Sequence, residues 1–269
     1  MGPAPAADAG RAGAAAMEPA AAQVRRDIAY HRAGGPTLDV HAAAGVADPA
    51  PAVLVLHGGG WSSGDKTVIA HVARAIADAG MVAVNVNYTL AAPGRRGFPT
   101  QLNELRAALR WVRRNAARIG VDPTRVGALG SSAGAHLAAL LATTGRGRLT
   151  NGGRLGAVVS WSGPFDLRAA GLRQRVGGKI AGFLGCLACP RRAGAASPIT
   201  HAGPGDPPML LIGSRRELIP TSQAVRMSNR LRIGGVPSRA WILPGTLHAP
   251  RYAPTVLGPS IAYLRRRLR

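Results

Sequence analysis

The stretch Gly130-Ser131-Ser132-Ala133-Gly134 decides how the chain is read. Before it, Arg125-Val126-Gly127-Ala128-Leu129 is an apolar run of strand length. After it, His136-Leu137-Ala138-Ala139-Leu140-Leu141-Ala142 is rich in strong helix formers. A strand that turns at once into a helix through G-x-S-x-G makes an elbow, in which a strained serine lifts its hydroxyl clear of the sheet. Gly130 and Gly134 suit that geometry, because the helix start crosses close to the strand and a side chain would push the two apart. The isolated pentapeptide is equally compatible with an ordinary Gly/Ser turn. Its surroundings decide.

Upstream, Ala52-Val53-Leu54-Val55-Leu56 is a continuous apolar run, the pattern of a strand buried on both faces, and it ends at His57-Gly58-Gly59-Gly60-Trp61. A helical stretch over residues 67–79 stops at Gly80, and Met81-Val82-Ala83-Val84-Asn85-Val86-Asn87-Tyr88 is the next strand. Leu102, Leu105, Leu109, Val112, Ala116 and Ile119 then recur at helical spacing, Gly120 ends that helix, and Asp122-Pro123 turns the chain into the elbow strand. Residues 24–40 suggest one or two edge strands with Gly34-Gly35-Pro36 between them. Downstream strands are expected over residues 156–161, 208–212 and 239–243, with a last helix ending in Arg265-Arg266-Arg267-Leu268-Arg269. Alternating strands and helices imply βαβ units, hence an α/β fold with a mostly parallel central sheet and helices on both faces. Residues 166–207, irregular and rich in Gly and Pro, are expected as a small lid insert in a domain spanning residues 24–269.

A length of 269 residues with 46% hydrophobic residues accommodates one well-buried α/β domain. No stretch reaches 18 uninterrupted apolar residues, which argues against a membrane span. Residues 1–23 are rich in Ala and Pro, carry Asp8 and Glu18, and lack the apolar core of a secretory signal. They are expected to form a disordered extension, and a cytoplasmic location is the corresponding expectation. The net charge of +22 raises the question of a nucleic-acid partner. Arginine is spread over the whole chain, aromatic residues are 4%, and no nucleic-acid module is recognisable, so no specific nucleic-acid binding is expected.

Acyl transfer by a serine needs a base, a group that orients the base, and donors for the oxyanion. Consecutive glycines after a buried strand, as in His57-Gly58-Gly59-Gly60-Trp61, let backbone N–H groups turn towards a tetrahedral oxygen, and the absence of G-K-[ST] disfavours a phosphate-cradling alternative. With HGGGWSSGDK at residues 57–66, VNY at 86–88, the elbow region over 98–142, SGPFDL at 162–167 and PGTLHA at 244–249, the chain resembles α/β-hydrolase-fold carboxylesterases of the bacterial hormone-sensitive-lipase-like and feruloyl-esterase-like group. The resemblance runs from about Val53 to His248. It implies hydrolysis of carboxylic esters, short-chain or aryl, through an acyl-enzyme on Ser132, with Gly59, Gly60 and the N–H of Ala133 as the oxyanion hole. It implies no metal or organic cofactor, and a small-molecule ester as the partner.

In this fold the triad runs serine, acid, histidine along the chain. The candidates for the base are therefore His136, His201 and His248. His136, one turn into the elbow helix, reads as a packed residue, and His201 lies in the insert. His248 follows the last strand, where the resembled family keeps its catalytic histidine. Where relatives carry the triad aspartate in a G-S/T-x-D-x-x-V/I-P loop, this chain has Gly213-Ser214-Arg215-Arg216-Glu217-Leu218-Ile219-Pro220, with Arg216 at the aspartate position. Glu217, one residue along and one methylene longer, is the leading candidate acid. Asp166 is a second candidate, Asp206 should emerge at the wrong end of the sheet, and absence of a functional acid is the third possibility. That third possibility carries the rival reading of a non-catalytic, hydrolase-like binding protein. An amidase or formamidase using the same machinery is the other alternative. Cys186-Leu187-Ala188-Cys189 lacks the further ligands of a zinc site and fits a local disulfide or two buried thiols. Trp61 should border the pocket or pack under the glycine loop, Asp65 should cap the helix that follows it, and Tyr88 and Trp111 read as packed aromatics.

Overall fold

A computed structural model describes Gly2, residues 23–43 and residues 49–269. Apart from Gly2 and Gln23, the extension expected over residues 1–23 lies outside these described residues. In chain order, an antiparallel hairpin of β1 (Gln23–Ala29) and β2 (Thr37–Ala42) precedes β3 (Ala50–Leu56), a 3₁₀ turn (Lys66–Ile69), α1 (Ala70–Asp78) and β4 (Val82–Val86). Then come α2 (Thr100–Arg114), a second 3₁₀ turn (Ala117–Ile119), β5 (Val121–Ser131), α3 (Ala133–Thr144) and β6 (Val158–Trp161). The chain ends with α4 (Ala170–Leu184), α5 (Pro190–Ala195), α6 (Pro198–His201), β7 (Met209–Ser214), α7 (Ser222–Ile233), β8 (Ser238–Leu243) and α8 (Ala253–Arg267).

The strands form one eight-stranded sheet in the order β1-β2-β4-β3-β5-β6-β7-β8. β1 and β2 pair antiparallel, as do β2 and β4, and every remaining pair is parallel. Alternate residues of the continuous apolar run in β3 serve opposite faces, as a doubly covered strand requires. Leu54 and Leu56 enter the apolar layer that also takes Leu105 and Leu109 of α2 and Leu137 and Leu141 of α3. Val53 and Val55 enter the layer formed with Val72 and Ile76 of α1 and Val256 and Leu264 of α8. β5 lies between β3 and β6 near the middle of the sheet, so its carboxyl end emerges with covered strands on either side.

Local chemistry explains most element boundaries. Asp65 accepts the Thr67 N–H at 2.8 Å and caps the 3₁₀ turn, while Gly80 after α1 takes φ +82° and Gly120 takes φ +66°, conformations that suit glycine. The helical periodicity up to Ile119 is broken near Asn115: α2 stops at Arg114 and a separate 3₁₀ turn supplies the rest. The insert over residues 166–207 is not irregular, because it carries α4, α5 and α6. Four glycines in α4 (Gly171, Gly177, Gly178 and Gly182) dilute its helical signal, but Leu172, Val176, Ile180, Phe183 and Leu184 bury one face, with a kink at Val176. Cys186 and Cys189 form a disulfide just after this helix. No helix among the described residues is long and apolar enough to cross a membrane.

Candidate active site

Ser132 joins β5 to α3 with φ +53° and ψ −113°, a backbone conformation that costs an ordinary residue energy and that both flanking elements enforce. A Cβ added at Gly130 would sit 2.3 Å from the carbonyl oxygen of Gly134, so the first turn of α3 does cross the elbow strand that closely. Gly134 is glycine for a different neighbour: its added Cβ would meet the carbonyl oxygens of Leu56 at 2.3 Å and His57 at 2.4 Å. The helix therefore presses on the end of β3, not only on its own strand.

The parallel register brings the carboxyl ends of five strands together. Leu56 pairs with Gly130, Ser131 with Trp161, Trp161 with Ile212, and Ser214 with Leu243. Just beyond the ladder, the Ser132 N–H donates to the Trp161 carbonyl and the Ser162 N–H to the Ile212 carbonyl, each at 2.7 Å. Loops leaving these strand ends are where an open α/β sheet builds a site.

Three side chains from three such ends meet. His248, after β8, places Nε2 2.9 Å from the Ser132 hydroxyl oxygen, and its Nδ1 hydrogen-bonds Glu217 Oε2. The other oxygen of the same carboxylate accepts the Ser214 N–H at 2.7 Å and the Ser162 hydroxyl at 2.9 Å. An acceptor on Nδ1 puts the imidazole proton there and leaves Nε2 free to accept from Ser132. The glutamate side chain is 1% exposed and the histidine 24%, so the pair is dry on the acid side and open on the serine side.

Glu217, the leading candidate acid, lies beside His248 Nδ1, while the Arg216 side chain is exposed. Asp166 is engaged elsewhere, in ion pairs with Arg168 at 3.1 Å and Arg226 at 3.2 Å. Asp206 accepts the Gly203 N–H in its own loop before β7. His201 Nε2 donates to the Ala195 carbonyl. His136 is a core residue: its Nδ1 accepts the Trp61 indole N–H at 3.1 Å and its Nε2 donates to the Ala196 carbonyl at 2.7 Å. Burial pushes its pKa down to about 4, with the Ala196 bond opposing.

Sequence reasoning passed over two residues at this site. Ser162 follows β6 with φ +55°, and its hydroxyl, besides donating to Glu217, accepts the Ala249 N–H at 3.2 Å and lies 2.8 Å from the Tyr252 hydroxyl. Tyr252, buried at the start of α8, also reaches the Ile212 carbonyl at 3.2 Å. Ser162 therefore ties the acid to the loop that carries His248. The sequence signals were its place directly after a strand on the elbow's side of the sheet and its position at the head of SGPFDL.

The glycine loop arches over Ser132. An added Cβ at Gly58 would lie 3.3 Å from the Ser132 Cβ, and Gly59 and Gly60 adopt φ +118° and +56°. The Gly59 carbonyl accepts the N–H groups of Ser62 and Ser63, while the Gly59 and Gly60 N–H groups have no backbone acceptor among the described residues. His57 Nδ1 lies 2.7 Å from the Gly58 carbonyl. Because that carbonyl and the Gly59 N–H belong to one planar peptide and point opposite ways, fixing the first aims the second. The His57 ring stacks on Tyr88 at 4.3 Å, and the Tyr88 hydroxyl donates to the His57 carbonyl. Trp61 is buried and stacks on Phe183 of α4 at 4.7 Å, which fastens the loop to the insert. Ala133 is the first residue of α3, so its N–H has no partner within the helix. A cavity of about 260 Å³ opens at Ser132 and His248, with Val68, Ile69 and Pro250 as its apolar walls.

A family profile described as BD-FAE matches residues 38–231. The chain belongs to the BD-FAE family. The BD-FAE match contains Gly59, Ser132 and Glu217 and ends before His248. Carboxylesterase NlhH of Mycobacterium tuberculosis is 42% identical over 102 residues, covering 38% of this chain and 31% of that protein. Esterase LipQ of the same organism is 28% identical over 226 residues, covering 79% of this chain and 53% of that protein. The chain spans about half the length, or less, of the curated relatives it matches. Among solved structures, the Pyrobaculum calidifontis esterase superposes with a TM-score of 0.77 at 25% identity, covering 91% of this chain and 85% of that one. A carbohydrate esterase from gut microbiota reaches a TM-score of 0.80 at 21% identity, covering 93% and 99%, a likeness of fold.

Proposed function

We propose that this BD-FAE member hydrolyses carboxylic esters with small acyl groups through an acyl-enzyme on Ser132. The observation that carries the reading is the continuous relay from the Ser132 hydroxyl through His248 to Glu217. The names of its relatives, carboxylesterase and esterase, support the same class. Ser132 Oγ attacks the ester carbonyl while His248 Nε2 takes its proton, and the imidazolium is stabilised by the Glu217 carboxylate. The N–H groups of Gly59, Gly60 and Ala133 receive the oxyanion. Collapse expels the alcohol, which takes the proton back from Nε2. Water then repeats the sequence at the acyl carbonyl, releasing the acid and free Ser132. A cavity of about 260 Å³ favours acetyl to butyryl groups over long chains. Turnover of 4-nitrophenyl acetate and butyrate tests the reading: Ser132→Ala is expected to lower kcat by at least about 10³-fold. Equal turnover by Ser132→Ala, or failure of a fluorophosphonate to label Ser132, would overturn it.

A further inference from the structure

A second cavity, of about 810 Å³, lies beside the glycine loop. Its walls are Ser62, the stretch over residues 91–96 and one side of α4. On that helix Gly178 and Gly182 lie one turn apart, and a Cβ added at either would meet no atom within 4 Å. The bare helix face leaves the floor of the cavity open.

The charge lining this space is one-sided. Arg95, Arg96 and Lys179 border it, and no carboxylate does. Arg95 spends its Nε on the Leu90 carbonyl at 2.9 Å, which leaves its terminal nitrogens. Neither Arg96 nor Lys179 has an ion-pair partner among the described residues, whereas Lys66, the other lysine of the chain, is held by Asp27 and Asp39. Lys179 also links this space to the reacting serine. Its Cδ and Cε lie 3.1 and 3.6 Å from the position of a Cβ on Gly60, so its stem runs across the glycine loop. A Cβ added at Gly58 of that loop would lie 3.3 Å from the Ser132 Cβ, and two residues of chain span at most about 7 Å. The glycine loop therefore runs from Ser132 to the Lys179 stem, and a substrate that extends past this loop would bring a distal group to the cations.

We propose that this cavity is a subsite for a carboxylate carried by the ester substrate, with Lys179 and Arg96 as its charge partners. The proposal rests on Ser132-dependent ester hydrolysis and adds the substrate class. A free carboxylate beyond the scissile bond meets two exposed cations with no competing acid, so the attraction is partly screened by solvent and weakens with salt.

Two matched pairs of esters test it and distinguish the half that bears the charge. 4-Nitrophenyl hydrogen adipate against 4-nitrophenyl hexanoate places the carboxylate on the acyl half, and 4-acetoxybenzoate against phenyl acetate places it on the alcohol half. In at least one pair the charged member is expected to have the higher kcat/KM at low salt. Lys179→Met and Arg96→Gln are each expected to lower the charged-to-neutral ratio about twofold to fivefold. Arg230→Gln, on α7, controls for attraction by the net charge of +22. Neutral esters hydrolysed with no change of ratio in either variant overturn the subsite and leave the esterase reading standing, as does an equal fall in Arg230→Gln. If no ester is turned over in a Ser132-dependent way, the esterase reading fails by itself. Titration with monomethyl adipate then decides the subsite: binding that Lys179→Met abolishes supports it, and binding that is absent or unchanged overturns it.

Discussion

Glu217 hydrogen-bonds His248 Nδ1 through one carboxylate oxygen, and the surrounding residues hold the other. A Cβ on Gly213 would stand 2.9 Å from Glu217 Oε1, so glycine there leaves room for the carboxylate to turn towards Ser162 and the Ser214 N–H. Glu217→Gln keeps the volume but presents an amide. When its NH₂ faces Nδ1, that nitrogen becomes an acceptor and the proton moves to Nε2, the wrong tautomer for taking a proton from Ser132. A fall in kcat of about 10³ to 10⁴ is expected on 4-nitrophenyl acetate, with the protein folded as the wild type by circular dichroism. Retention of full activity would remove Glu217 from the relay. Ser162→Ala deletes one of the two donors to Glu217 Oε1 and is expected to lower kcat about tenfold with KM moved less than twofold. An unchanged kcat would reduce Ser162 to a packing residue.

At the scale of elements, legibility depended on whether a signal was local. The doubly buried run of β3, the αL glycines after α1 and before β5, and the elbow itself could all be read, because the physics that sets them acts within a few residues. The helices of the insert could not: α4 holds its shape through Leu172, Ile180 and Phe183 packed on the core, against the propensity of its glycines. Glycine therefore has opposite meanings in two helices. A Cβ added at Gly134 of α3 would meet two carbonyl oxygens at 2.3 and 2.4 Å, both in the backbone at the end of β3, where nothing can yield cheaply. Gly134→Ala is expected to cost about 3 kcal/mol or more in denaturant unfolding, or to prevent folding. Gly171→Ala, in the first turn of α4 with open space around the added methyl, is expected to stabilise by up to about 1 kcal/mol. Similar effects from the two variants would refute the close crossing of α3 over β3.

At the scale of the whole molecule, the contacts that complete the site join loops far apart in the chain. Ser132 and His248 are separated by 116 positions, and Ser162 and Tyr252 by 90. The strand order that brings them together is a property of the sheet, so Ser162 and Tyr252 were not legible, whereas motif and context pointed to Ser132, and chain order narrowed the base to three histidines among which the family resemblance favoured His248. The same long-range assembly buries histidines, and this makes the fold sensitive to acid. His136 uses both ring nitrogens in its neutral form, accepting from Trp61 and donating to Ala196, so a second proton would face the indole N–H. Burial lowers its pKa from 6.5 to about 4, and burial likewise lowers those of His41 and His57. Between those two pH values the unfolded chain binds a proton that folded His136 refuses, so stability falls as pH falls. The contribution is fully present above about pH 6.5 and lost by about pH 4, and for His136 it is of the order of 3 kcal/mol. The melting temperature is therefore expected to be flat from pH 8 to 7 and to decline steadily from pH 6.5 to 4.5. His136→Gln, which can still accept from Trp61 and donate to Ala196 but does not titrate, is expected to start lower at pH 8 and to decline less steeply. An equally steep decline in that variant would assign the acid sensitivity to groups other than His136.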